Sequence, residues 1–159
     1  AESMPHGSKA MRPFNHLFSE TTEAYHDASV RLGLSYSMMQ ILYTVYDYGD
    51  GRRCPLREVC VQTGISKQTI NSALRRLEGE GIARLEQTGG KRKDVCLTEA
   101  GLALARRTVA RIMAVEDGVF ASWRPEDVET YLTLTERYLT AFREGIQNLE
   151  PEQEHQEEP

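Results

Sequence analysis

Three cysteines in 159 residues, Cys54, Cys60 and Cys96, are too few and too scattered for a disulfide framework, and no Cys/His spacing suggests zinc. A reducing interior is the expected setting. No stretch approaches the roughly 20 apolar residues that span a bilayer, and residues 1–11, AESMPHGSKAM, lack the apolar centre of a signal peptide. A cytoplasmic protein with no membrane partner is expected. The chain also has no Gly-rich phosphate loop, no nucleophile elbow and no paired acids on a structured element. Its two helical histidines, His16 and His26, are not at the i, i+4 spacing of metal partners. Enzyme chemistry, a cofactor and a metal site are therefore not expected. No internal repeat or Pro/Ser-rich linker divides the chain, so residues 1–159 are read as one domain.

What the chain does have is an uneven charge. The formal net charge is −5, yet residues 52–107 hold 12 Lys/Arg against 6 Asp/Glu, a local excess of +6. Residues 144–159 hold 6 acids and no Lys or Arg. The asymmetry, not the total, points to a polyanionic partner for the middle of the chain. Residues 150–159 have too little apolar area to offset the entropy of ordering, and an acidic, disordered tail is expected there.

Inside the basic stretch, Gly64–Gly101 reads as a turn, a helix, a hairpin and the start of another helix. Ser66 is a natural N-cap, and Ile70, Ala73, Leu74 and Leu77 recur at i, i+3, i+4 and i+7, giving one apolar face. The other face carries Lys67, Gln68, Asn71, Ser72, Arg75 and Arg76, and Ser66 and Thr69 stand at its start. Such side chains bond base edges and phosphates, whereas a face selected only for solubility more often carries Glu–Lys pairs. After Gly79 and Gly81, IARLEQ and KRKDVCLT flank Thr88-Gly89-Gly90 as a two-stranded hairpin, with Lys91, Arg92 and Lys93 at a basic tip. A short helix over 56–63 precedes the turn at Gly64. The whole is a winged helix-turn-helix, and Ser66, Lys67, Gln68, Thr69, Asn71, Ser72, Arg75, Arg76, Lys91 and Arg92 are its expected contacts to double-stranded DNA.

Both ends of the chain read as helix. Phe14, Leu17, Phe18, Thr21, Tyr25 and Ala28 form an amphipathic helix to about Leu32, and a second helix, capped by Ser35, runs through Met38, Ile41, Leu42 and Val45. Thr98 caps a long fifth helix expected to continue to Phe120, and Pro125 opens a sixth whose apolar positions from Val128 to Leu149 wrap around much of its surface. One small lobe cannot cover so much apolar surface, so a homodimer is expected. The expected fold class is mainly α with a small β-hairpin wing. The dimerisation helices are placed at 10–34 and 100–149, around a winged-helix lobe at 35–99.

SKQTINSALRRLEGEGI, the wing and LTEAG, in this order, resemble the MarR-type transcription regulators over nearly the whole chain. The resemblance implies a homodimer on a pseudo-palindromic operator, acting as a repressor, released when a small aromatic or phenolic ligand enters a cleft between the lobes. It also implies an Asp-x-Arg six to eight residues before the Leu-Thr pair. Those positions here are Gly89, Gly90 and Lys91, and Leu85 replaces a usual Arg. Lysine lacks the planar fork that fits a narrow groove, so Lys91 and Arg92 are kept as backbone contacts.

Among the aromatic and Met residues, Phe18, Tyr25, Met39 and Tyr43 are the candidates for an effector pocket, with core or interface as the plainer reading. Two rival functions remain open at this point. Arg53-Cys54 can form a strand that completes the wing's sheet and brings Cys54 beside Cys96, which makes a thiol-based redox regulator conceivable. A winged-helix module that binds only protein is the other.

Overall fold

The computed structural model describes residues 8–151. Most of the tail expected at 150–159 lies outside them. Seven helices and three strands follow in order: α1 (Met11–Arg31), α2 (Tyr36–Asp47), β1 (Arg53–Pro55), α3 (Leu56–Thr63), α4 (Lys67–Gly79), β2 (Ala83–Gln87), β3 (Lys93–Leu97), α5 (Glu99–Arg107), α6 (Val109–Ala121) and α7 (Pro125–Gln147). The strands make one antiparallel sheet in the order β1-β3-β2. Two compact units divide between Ala114 and Val115.

The first unit holds the core. Helix α2 is its centre, with Met39, Ile41, Leu42 and Val45 buried against Ile70, Leu74 and Leu77 of α4, Val59 of α3 and Leu102 of α5. The i, i+3, i+4, i+7 set on α4 is thus the buried face, as its spacing requires. Cys54 and Val95 close the core from the sheet, because residues directly opposite in an antiparallel pair share a face. Three polar caps fix helix starts: the Ser35 hydroxyl accepts from Met38 N, Ser66 from Thr69 N and Thr98 from Gly101 N.

One expected element is corrected. The fifth helix does not run unbroken from Thr98 to Phe120 but ends at Arg107, and Thr108 leaves helical geometry at φ −124°, ψ −87° before α6 begins. The Thr108 hydroxyl donates to the Leu104 carbonyl at 2.6 Å, the back-bonding that bends helices at Ser and Thr. Apolar periodicity continues across this point, which is why the sequence gives no sign of the break. Cys60, next to the buried Val59 on α3, is only half-buried.

In the second unit α7 has no buried residue. Tyr131, Leu132, Leu134, Tyr138, Leu139, Phe142 and Ile146 are each between 39% and 54% exposed. Trp123, the only tryptophan, meets Phe120 and Tyr131 edge-on at centroid distances of 5.2 and 5.7 Å.

Candidate nucleic-acid interface

The turn between α3 and α4 is made by Gly64, at φ 64°, and by Thr63, whose hydroxyl accepts from Ile65 N. This sets the start of α4 free of α3 and leaves its outer face in solvent. Lys67, Gln68, Ser72, Arg75 and Arg76 are exposed and Asn71 is half-buried. The side chains are not equally available. Ser66 and Thr69 are occupied with each other at the cap, with hydroxyls 3.0 Å apart. Ser72 donates to the Gln68 carbonyl, and Arg76 pairs with Glu80 one turn on. Lys67, Gln68, Asn71 and Arg75 are therefore the strongest candidates for base or phosphate contact on the helix.

The wing is braced against α4. The Glu78 carboxylate accepts from Leu85 N on β2, so the end of the recognition helix and the root of the hairpin move together. Gly89 and Gly90, at φ 76° and 58°, form the tip, and Thr88 N bonds the Arg92 carbonyl across it. These two positions, where the family pattern would put Asp-x, are used to turn the chain.

Between α3, α4 and the wing lies an open groove of about 1010 Å³. Lys67 and Asn71 line one wall and Lys91, Arg92 and Lys93 the other, so four of the expected DNA contacts share a single concavity. Arg57 of α3 lines it too, and it was not among the residues singled out from the sequence. It is exposed on a helix whose buried residue is Val59. Leu85 adds an apolar patch to this groove. Gln68, Ser72, Arg75 and Arg76 stand on the open face beyond it.

The outer face of the wing's sheet holds an ionic network. Register places Arg53 opposite Cys96 and Arg84 opposite Cys96 from the other side, with Glu86 opposite Asp94. Asp94, only 4% exposed, takes Arg53 Nε on Oδ2 and Arg92 Nε on Oδ1, at 3.1 and 3.2 Å. Glu86 takes Arg84 at 2.8 Å and Arg53 at 3.1 Å. The hydrogen bond from Arg84 holds the Glu86 carboxyl below its ordinary range, with smaller help from Cys96 and Arg53.

The same register removes the redox pair. Cys54 faces the core opposite Val95, while Cys96 faces the other side of the sheet opposite Arg53, so the strand forms as expected but the two thiols point apart. Both are free. Burial pushes the Cys54 thiol up to about 11 and raises that of Cys96 as well, which keeps both protonated and poorly nucleophilic at neutral pH.

The four effector candidates differ in exposure, with Tyr25 and Tyr43 packed against the core cluster that holds Met39. Met39 is 2% exposed in the core, a correction of its expected place on a pocket wall, because α2 turns that face toward α4 and α5. Phe18 is 67% exposed on α1, and Tyr25 is half-buried against the core. Tyr43 lines a cleft of about 230 Å³, with Gln40, Thr44, Asp47, Glu58 and Gln62 as polar neighbours. Among the described residues no group of acidic, His and Cys side chains is placed to hold a metal, and no helix is long and apolar enough to cross a membrane.

Residues 32–94 match the sequence profile of the MarR family. Solved structures share the fold. NMB1585, a MarR family regulator from Neisseria meningitidis, aligns at TM-score 0.76 and 16% identity over 88% of this chain and 98% of its own. Sco3205, a MarR family regulator from Streptomyces coelicolor solved in complex with DNA, aligns at 0.65 and 19% over 89% and 92%. BpsR of Bordetella bronchiseptica, whose DNA binding is regulated by 6-hydroxynicotinic acid, aligns at 0.59 and 18% over 79% and 98%. No curated protein matches the sequence.

Proposed function

We propose, from the match of residues 32–94 to the MarR family profile and from the geometry above, that the chain is a DNA-binding transcription regulator, a repressor that acts as a homodimer on a two-fold symmetric operator. The observation that carries the reading is the groove in which Lys67 and Asn71 of α4 face Lys91 and Arg92 of the wing. Although the net charge is −5, Arg57, Lys67, Lys91, Arg92 and Lys93 all line this groove, the arrangement a polyanionic duplex favours.

The dimer rests on the uncovered apolar faces. Leu17 and Phe18 of α1 and Leu132, Leu139, Phe142 and Ile146 of α7 are too exposed for a stable monomer surface, and patches of this kind mark interfaces. Two-fold pairing places the recognition helices in successive major grooves, with half-site centres about 10 bp apart. Binding of purified protein to duplex DNA, followed as a function of salt, tests the proposal. Each neutralised phosphate should steepen the log–log dependence by about 0.9. Salt-insensitive or absent binding to DNA would favour a winged helix that meets only protein.

The finer part of the proposal is release by a small aromatic or phenolic ligand. The regulation of BpsR by 6-hydroxynicotinic acid supports it, as does the cleft lined by Tyr43. A ligand acts only if it binds the DNA-incompetent state more tightly. Screening aromatic carboxylates by thermal shift and by operator release checks this, and ligands that stabilise the fold without changing DNA affinity would refute it.

A further inference from the structure

We infer that Asp94 is a positioning residue of the wing, holding Arg92 in the orientation in which its guanidinium meets the phosphate backbone. The inference rests on the DNA-binding reading above. It starts from a placement that charge alone would not produce: a carboxylate buried to 4% exposure on the very strand that carries the basic tip toward a polyanion. An acid near phosphate opposes binding, so its presence there needs a reason.

The geometry supplies one. Asp94 Oδ1 takes Nε of Arg92 at 3.2 Å, which leaves the two Nη groups of that side chain free to point outward. Arg92 is 61% exposed along its side chain, so the pair does not hide it. Oδ2 of the same carboxylate is taken by Arg53 Nε at 3.1 Å, and Arg53 is held in turn by Glu86. The carboxylate is thus fixed from β1, across the sheet, before it fixes Arg92. A free arginine at a hairpin tip loses its rotamer freedom when DNA binds; one already tethered at Nε has lost most of it in the free protein.

Asp94→Asn discriminates between positioning and charge, because the two predict opposite signs. The amide keeps one acceptor oxygen and turns an NH2 toward the second guanidinium, so one arginine is released. Positioning predicts weaker binding by about two- to tenfold, the cost of ordering one long side chain on the DNA. If only charge matters, removing an anion tightens binding. The variant is read in a cycle with Arg92→Ala: the Asp94→Asn effect should vanish in the Arg92→Ala background, whereas a general loosening of the sheet would persist there. Arg92→Lys, a substitution at an exposed tip, covers the case in which Asp94→Asn does not fold. Lysine keeps the charge but cannot be held at Nε while presenting a second donor, so it should bind more weakly than the parent though better than Arg92→Ala. Unchanged or tighter DNA binding by Asp94→Asn, an effect that survives without Arg92, or wild-type binding by Arg92→Lys would each overturn the assignment. Failure of the wild-type protein to bind duplex DNA is a separate result and strikes the functional reading instead.

Discussion

Replacing Gly101 by alanine sets two physical effects against each other. Gly101 lies in the first turn of α5, where intrinsic helix propensity favours alanine by about 1 kcal/mol. Propensity alone therefore makes Gly101→Ala stabilising. But a Cβ at this position would run into the backbone carbonyl of Ile82 and lie 3.3 Å from Leu97 Cβ. That carbonyl cannot move without cost: it accepts from Thr98 N at 3.0 Å and from the Thr98 hydroxyl at 3.1 Å, and the hydroxyl also bonds the Gly81 carbonyl at 2.6 Å. Overpacking against such fixed atoms costs ~1–3 kcal/mol, and a lost backbone hydrogen bond adds ~1 kcal/mol. Net of propensity, a destabilisation of about 2 kcal/mol is expected, which for a chain of this size lowers Tm by roughly 4–8 °C. Because Ile82 leads into β2, the wing's root should loosen as well, and DNA affinity should fall together with stability. Thermal unfolding followed by circular dichroism measures the first and operator titration the second. A variant as stable as the parent, or more so, would refute the close-approach argument outright.

Three further outcomes are expected. Gln68→Ala and Asn71→Ala should each lower specific DNA affinity by ~1–3 kcal/mol if their contacts are bidentate, while Lys91→Ala should weaken all sequences alike; equal loss of specificity from both groups, seen by competition with random duplex, would show the faces to be misassigned. Phe142→Asp, on a helix with no buried residue, should leave the first unit folded and shift the sedimenting mass toward the monomer, with fluorescence of Trp123 as a second reporter. Parent protein that sediments as a monomer at micromolar concentration would sink the dimer instead. Cys54 adds a pH dependence whose sign is fixed. Its folded pKa, about 11, lies above its ordinary value, so the folded state keeps a proton that the unfolded state has lost. Its contribution is fully present below pH 9 and fades as pH rises toward 11, by about 3 kcal/mol at most. Urea titrations of parent and Cys54→Ala across that window should show the steeper decline only in the parent.

The helix-turn-helix was legible because its physics is local. A cap at Ser66, a 3.6-residue apolar rhythm and a glycine stop act within one turn of themselves, and the structure follows each. The same holds for β1, whose pairing with β3 was visible in Arg53-Cys54. What the pattern could not carry was facing: a strand this short leaves open which side each cysteine takes, and one step of register turned Cys54 and Cys96 apart. Nor could it reveal Asp94 as a clamp, since one of its two partners, Arg53, lies 41 residues away in the sequence. Arg57 was missed for a similar reason, as membership of the groove is decided by how α3 lies against the wing. The LT-x-x-G element was read as a mark of resemblance, and only the Ile82 carbonyl explains why its last residue carries no side chain.

The break at Thr108 changes how a signal would travel to the wing. A single rod from Thr98 to Phe120 would carry any tilt undiminished, but α5 and α6 are separate helices joined at one residue outside helical geometry. At its start, α5 is locked to the wing: Thr98 bonds the Gly81 and Ile82 carbonyls, and Gly101 packs on Ile82 without an intervening side chain. Helix α5 and the hairpin root therefore form one rigid piece. Thr108 is itself 5% exposed, with its hydroxyl held by Leu104 and its carbonyl accepting from Arg111 N at 3.0 Å. It is a packed corner rather than a loose joint. Were rotation to occur there, it would have to exchange this packed arrangement for another, which is the property a two-state element needs, whereas a bend spread along a continuous helix would be resisted at every turn. A ligand that favours one setting of this corner would reposition α5 and the wing together, and the wing carries Lys91 and Arg92 with it. The recognition helix follows through the hydrogen bond from Leu85 N to the Glu78 carboxylate, so both halves of the DNA surface answer to the same corner.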